Sequence, residues 1–154
     1  MKKVPAEFID SLVKWFAYHQ SVTLRTGNKL NSRQLELAHA IGCIKPEMVR
    51  LLHVDEMPKV KSPTLGKVMD QAGFDFGDAH GLCLGYGIFI HNDRKGDARI
   101  LAHELTHTLQ FERFNGARNF LEAYIQQFLV YGYQSMPLEK EARMNEKLGP
   151  KFLG

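Results

Sequence analysis

The chain predicts an α+β fold: a small, mostly antiparallel sheet packed on one central helix, with further helices before and after it. Apolar residues recur at helical spacing through most of its length, which calls for helices that each bury one face. Two short runs break that period, Val49 to Val54 and Leu82 to Ile90, and the second is rich in residues that favour a pleated surface. Between the second run and the C-terminal helices lies Ile100-Leu101-Ala102-His103-Glu104-Leu105-Thr106-His107-Thr108-Leu109, an amphipathic stretch whose apolar side needs a sheet to lie on. With 154 residues, one domain spanning 1–154 is expected, without interdomain linker or repeat.

The first helix is expected from Pro5 to Gln20, where Phe8, Ile9, Leu12, Val13, Phe16 and Ala17 line one face after an N-terminal proline. After the Thr26-Gly27-Asn28 turn, a second should run from about Ser32 to Ile41 and stop at Gly42. Pro46 opens a short turn. Val49 to Val54 fits a short strand, although its length leaves a helix open, and Met57-Pro58 closes it. Pro63-Thr64 reads as a helix start, with Leu65, Val68 and Met69 inside and a stop near Gly73. Leu82 to Ile90 is expected as one strand, bulged or closely approached by backbone near Tyr86 because Gly85 and Gly87 interrupt it.

Gly96-Asp97 supplies a turn and an N-cap, so the next helix runs roughly from Ala98 to Phe114 and ends at Asn115-Gly116. Phe120, Leu121, Tyr124, Ile125, Phe128, Leu129 and Tyr131 give the following helix a broad apolar face up to Gly132, expected to pack across the helix before it. Ser135-Met136-Pro137 should start a last helix from Leu138 to about Lys147, ended by Gly149-Pro150.

The motif inside the Ala98–Phe114 segment carries chemistry. His103 and His107 are four residues apart, so both imidazoles reach one metal ion from one helix face, and Glu104 stands beside the ion's open position. Zinc (Zn2+) is the expected metal. A catalytic zinc site wants three protein ligands and a water, with a carboxylate placed to take the water's proton and pass it to a leaving amine. The last helix offers Glu139 and Glu141 as the third donor, and a helical wheel does not choose between them. His80 and His91 are alternatives without a supporting spacing.

His103-Glu104-x-x-His107 followed by Glu139-Lys140-Glu141-Ala142-Arg143 resembles the gluzincin branch of the zincin metallopeptidases. It is similar in particular to small bacterial zincin-like domains that carry H-E-L-x-H-x-x-Q, matched through Gln110, and then P-L-E-x-E-A, matched by Pro137 to Ala142. The resemblance covers roughly Leu82 to Asn145. It implies a zincin-like fold, with His103, His107 and Glu139 as zinc ligands and Glu104 as general base. One position departs from the pattern: Arg143 stands where many gluzincins place an Asp or Asn that supports a ligand histidine. Asp93 and Asp97 are candidates for orienting a histidine, although Asp97 is explained as well by capping. Tyr131 and Tyr133 are candidates for a hydrogen bond to an oxyanion, and core packing explains them too.

The implied activity is zinc-dependent hydrolysis of a peptide or protein substrate, held extended along the Leu82–Ile90 strand. A non-catalytic zincin-like module that binds zinc and acts in protein–protein interaction is the alternative, and Glu104 speaks against it because a four-ligand structural site needs no base. Net charge is +3. Its basic residues are scattered, densest at Lys2-Lys3 and Lys59/Lys61/Lys67, which leaves no footprint for nucleic acid or an anionic membrane. The charged start of the chain offers no export signal, and the apolar run Phe128 to Tyr133 is too short to span a bilayer, so a cytoplasmic location is expected. Cys43 and Cys83 read as buried apolar residues in a reducing compartment.

Overall fold

The computed structural model describes residues 4–60 and 79–154. Its elements are α1 (Ala6–Thr26), β1 (Asn28–Lys29), α2 (Ser32–Ile41), β2 (Arg50–Val54), β3 (Gly81–Leu84), β4 (Gly87–His91), α3 (Ala98–Arg113), α4 (Ala117–Tyr131), α5 (Pro137–Asn145) and α6 (Leu148–Leu153). Single 3-10 turns at Pro46–Met48 and Asn92–Arg94 lead into β2 and towards α3. The helix expected between Pro63 and Gly73 lies outside the described residues.

The fold is α+β. Its four strands are ordered β1-β2-β4-β3, with antiparallel pairs at both edges and one parallel pair, β2 with β4, in the middle. Leu82 to Ile90, expected as a single strand, is a hairpin: Leu84 pairs with Gly87, and Gly85-Tyr86 is the two-residue turn. Gly85 has φ 71°, a conformation that a hairpin turn of this length demands at its first central residue and that only glycine adopts without strain. The Tyr86 N–H then donates to Gln20 Oε1 at 2.9 Å, which ties the turn to α1.

Alternation along the hairpin divides the interior in two. Leu82, Leu84 and Phe89 face Ile9, Leu12 and Phe16 of α1 and Leu121 and Ile125 of α4. Cys83, Ile88 and Ile90 face the opposite way, onto Leu37, Ala38 and Ile41 of α2 and Leu101, Ala102 and Leu105 of α3. Each such side chain withdrawn from water contributes about 1.5–3 kcal/mol before the entropy of ordering it is subtracted. The sheet is thus covered on both faces, and α3 is fixed against it by its apolar stripe.

Several boundaries follow from tertiary contacts that a sequence window does not contain. α1 continues six residues past Gln20 to Thr26, although Val22, Thr23 and Thr26 are weak helix formers. Thr23 is fully buried, and its hydroxyl donates to the His19 carbonyl at 2.9 Å. α2 begins with a capping box, Asn31 and Gln34 each accepting from the other's backbone N–H, and ends at Gly42 in the left-handed region. α4 packs chiefly on α1 and much less on α3. Beyond α5 the chain enters a further short helix, α6, which lies against α2 and α3. Pro150 sits in its first turn, where the missing N–H has no partner to lose.

Cys43 and Cys83 are free and buried, their thiols directed at the Leu105 and Gly85 carbonyls. Burial pushes the Cys43 thiol up to about 12, which leaves it unreactive at neutral pH. No described helix is long and apolar enough to cross a membrane.

Candidate metal centre

α3 starts where Asp97 accepts from the backbone N–H groups of Arg99 and Ile100 at 3.0 and 3.1 Å. Capping is therefore the work of Asp97, and Asp93 sits beside His91 rather than near His103. One turn apart on the face of α3 away from α2, His103 and His107 have ring centroids 5.0 Å apart. The first turns of α4 wall them in, with Phe120 and Tyr124 6.3 and 6.2 Å from the His107 ring.

α5 completes the site. Pro137 opens the helix, the Leu138 N–H is taken by Gln127 Oε1, and Leu138 and Ala142 are buried, so the helix is docked along α3 with Glu139 turned inward and only 2% exposed. Glu139 Oε1 lies 3.0 Å from His103 Nε2, and its Oε2 lies 3.0 Å from His107 Nε2. His103, His107 and Glu139 form a group whose ligand atoms all fall within 4.8 Å of one another, and it could hold a metal ion. Glu141, the other candidate, points away: it forms a two-point ion pair with Arg113 and accepts from Gln110. His80 and His91 lie together at the hairpin's open end and belong to no such group among the described residues.

The donor set is one that a cation suits. His103 Nδ1 lies 2.9 Å from Glu146 Oε2, and His107 Nδ1 lies 2.8 Å from Gln110 Oε1. Both partners are acceptors, so both Nδ1 atoms carry hydrogen, and in a neutral ring each Nε2 then presents a lone pair. Two lone pairs and a carboxylate converge on one point, an arrangement that needs positive charge at its centre. Proton affinities record the same demand. Burial lowers His103, but Glu139, Glu104 and Glu146 more than offset it and hold the imidazole up at about 9. His107 is raised likewise against its burial, chiefly by Glu139. Burial works to raise Glu139, yet hydrogen bonds from both imidazoles and from Tyr124 hold it far below the usual carboxylate range.

Arg143, at the position where the resemblance implied an Asp or Asn, donates instead to the Gln134 carbonyl. Glu146 supplies the missing support for His103. Its signal in the sequence is its place seven residues after Glu139, hence on the same helical face. Tyr124 has no comparable signal, because an aromatic residue on an apolar helix face reads as core; its hydroxyl donates to Glu139 Oε2 at 2.7 Å. Tyr133, about half exposed, lies near Glu139, and burial of part of its ring together with that carboxylate raises its phenol. Tyr131 is exposed at the end of α4.

Glu104 is buried where α3 passes the start of β3. A Cβ placed on Gly81 would come within 3.0 Å of Glu104 Oε2 and 2.8 Å of Ile100 Cγ2. Burial raises the Glu104 carboxyl; His103 and His107 pull it down, Glu139 and Glu146 push it back, and the net direction is up. No protein-family model matches the chain, and no curated protein or solved structure matches it.

Proposed function

We propose that the chain is a zinc-dependent peptidase in which His103, His107 and Glu139 bind the metal and Glu104 is the general base. Two imidazoles and one carboxylate suit zinc. Among the described residues the group has these three members and no fourth His, Cys, Asp or Glu, and three protein ligands leave the position for water that a catalytic site keeps open. The observation that carries the reading is Glu104. A buried carboxylate lowers stability unless something offsets it, and the apolar face of α3 already holds the helix to the sheet, so proton transfer is the reason to keep one beside the ligands.

When bound, zinc would polarise the scissile carbonyl and acidify the attacking water. Glu104 takes the proton from that water and returns it to the leaving amine, a role suited to a carboxylate of raised proton affinity. Tyr124 holds Glu139 in place, and Tyr133, ahead of α5, donates to the developing oxyanion. β3 is an outer strand of the described sheet and begins against Glu104, so a peptide laid along it in extended form has its backbone at the base. The substrate is a peptide or protein met in the cytoplasm, without nucleic acid or membrane as partner.

A broad peptide library incubated with the purified chain should yield cleavages that a chelator removes and added zinc restores. Cleavage that survives complete metal removal would sink the reading, and zinc bound without any cleavage would favour the interaction module. Gly81→Ala gives a second check. The added methyl group pushes on Glu104 and not on the ligands, so zinc affinity should stay within a few-fold while cleavage falls by about 10–100-fold, the usual consequence of a small misplacement of a reacting group. Parallel loss of zinc would show that Gly81 supports the fold of the site as a whole.

A further inference from the structure

We infer that Gln110 is a positioning residue for the metal, and that Glu141 acts on the metal only through it. Held by Glu141 and by the Leu138 carbonyl, the Gln110 amide fixes which nitrogen of His107 carries hydrogen. The inference rests on the metal reading above and is independent of peptidase activity.

Gln110 follows His107 by one turn of α3 and is fully buried. Its side-chain nitrogen lies 2.9 Å from the Leu138 carbonyl oxygen and 2.8 Å from Glu141 Oε1. Both of those groups only accept. Reversing the amide would set its oxygen against a carbonyl and a carboxylate, so α5 dictates its orientation and both its N–H groups are spent there. Its oxygen is left facing His107 Nδ1 at 2.8 Å. An acceptor at that distance requires a hydrogen on Nδ1, so in the neutral ring that a metal binds the lone pair is on Nε2, the nitrogen that faces Glu139 Oε2 at 3.0 Å.

Glu141 is itself held by Arg113, at 3.1 and 2.9 Å. A chain of contacts therefore runs from the half-exposed Arg113 through Glu141 and Gln110 to the ring of His107. The two glutamates of Glu139-Lys140-Glu141 thus divide the work, since the first meets the metal and the second orients the amide that orients a ligand. The same contacts explain an amide at position 110. Glu104, Glu139 and Glu146 already surround the two histidines, and a carboxylate at 110 would face the Leu138 carbonyl and Glu141 with no hydrogen to offer either.

The test is a zinc titration, by competition with a chelator of known affinity, of the wild type and of Gln110→Met, Glu141→Met and Arg113→Met. Gln110→Met keeps the volume and removes the acceptor, and should weaken zinc by about 10–100-fold, the range found when an outer partner of a ligand is lost. Glu141→Met should weaken it less, by about 3–10-fold, because Leu138 still holds the amide. Arg113→Met should leave it unchanged, since an exposed ion pair contributes little. Nitrogen–proton spectra of the zinc-loaded histidine rings supply a readout that loosened packing would not reproduce. In Gln110→Met the His107 Nδ1–H signal should vanish into solvent exchange while that of His103, held by Glu146, persists. Wild-type zinc affinity in Gln110→Met overturns the inference, as does loss of both ring signals together. If Gln110→Met does not fold, unchanged affinity in Glu141→Met overturns it. A wild-type chain that takes no zinc overturns the metal reading and this inference together.

Discussion

His103→Ala and His107→Ala are each expected to abolish stoichiometric zinc binding, and Glu139→Ala to weaken it almost as severely. Each removes one of three donors whose atoms converge within 4.8 Å, so the loss should exceed the roughly 10–100-fold typical of an outer partner. An ion held by these donors would join α3 to α5, and its binding would therefore be folding free energy as well. Free zinc at a thousand times the dissociation constant adds about 4 kcal/mol to the native state. For a domain of this size that raises the melting temperature by roughly 8–16 °C. Chelation should reverse the gain, and the three alanine variants should melt alike with and without zinc. A His107→Ala protein that keeps its metal, or identical melting curves for the metal-free and loaded wild type, would remove the ligand assignment.

The histidines and Glu104 are legible in the sequence because one helix carries them. Their relation is fixed by 3.6 residues per turn and needs no knowledge of the rest of the fold. The choice of Glu139 over Glu141 needs α5 in place, because both flank the buried Leu138/Ala142 face. What separates them is Arg113 at the end of α3, which captures Glu141 and leaves Glu139 to the imidazoles. The family resemblance points to position 143 for the support of a ligand histidine, whereas this chain supports His103 from Glu146, about one turn further along. The sheet is legible in outline only. Glycines at 85 and 87 mark a bulge in one strand as readily as a turn between two, and the decision lies in pairing with β2, far away in sequence. Thr23 makes the same point for α1: propensity favours an earlier stop, and burial against the hairpin overrides it.

Glu104→Gln should lower kcat by about 10²–10⁴-fold, the range that a positioned acid–base group contributes, while zinc affinity stays within a few-fold of the wild type. In barrier height that is about 2.7–5.5 kcal/mol. The substitution keeps shape and volume in a pocket bounded by Gly81 and Ile100, so the fold has little reason to change. It removes a group whose proton affinity is raised by burial and held in check by two neighbouring imidazoles. A carboxylate at this place can accept the proton of the attacking water and hand it to the amine, and an amide can do neither. Loss of zinc in Glu104→Gln would make Glu104 a ligand. Full activity would make some other group the base, and the two outcomes are separated by measuring metal content and turnover on the same preparation. The expected pattern, metal kept and turnover lost, belongs to a residue that acts on the reacting atoms and not on the ion, which is what distinguishes a catalytic zinc centre from one that only braces α3 against α5.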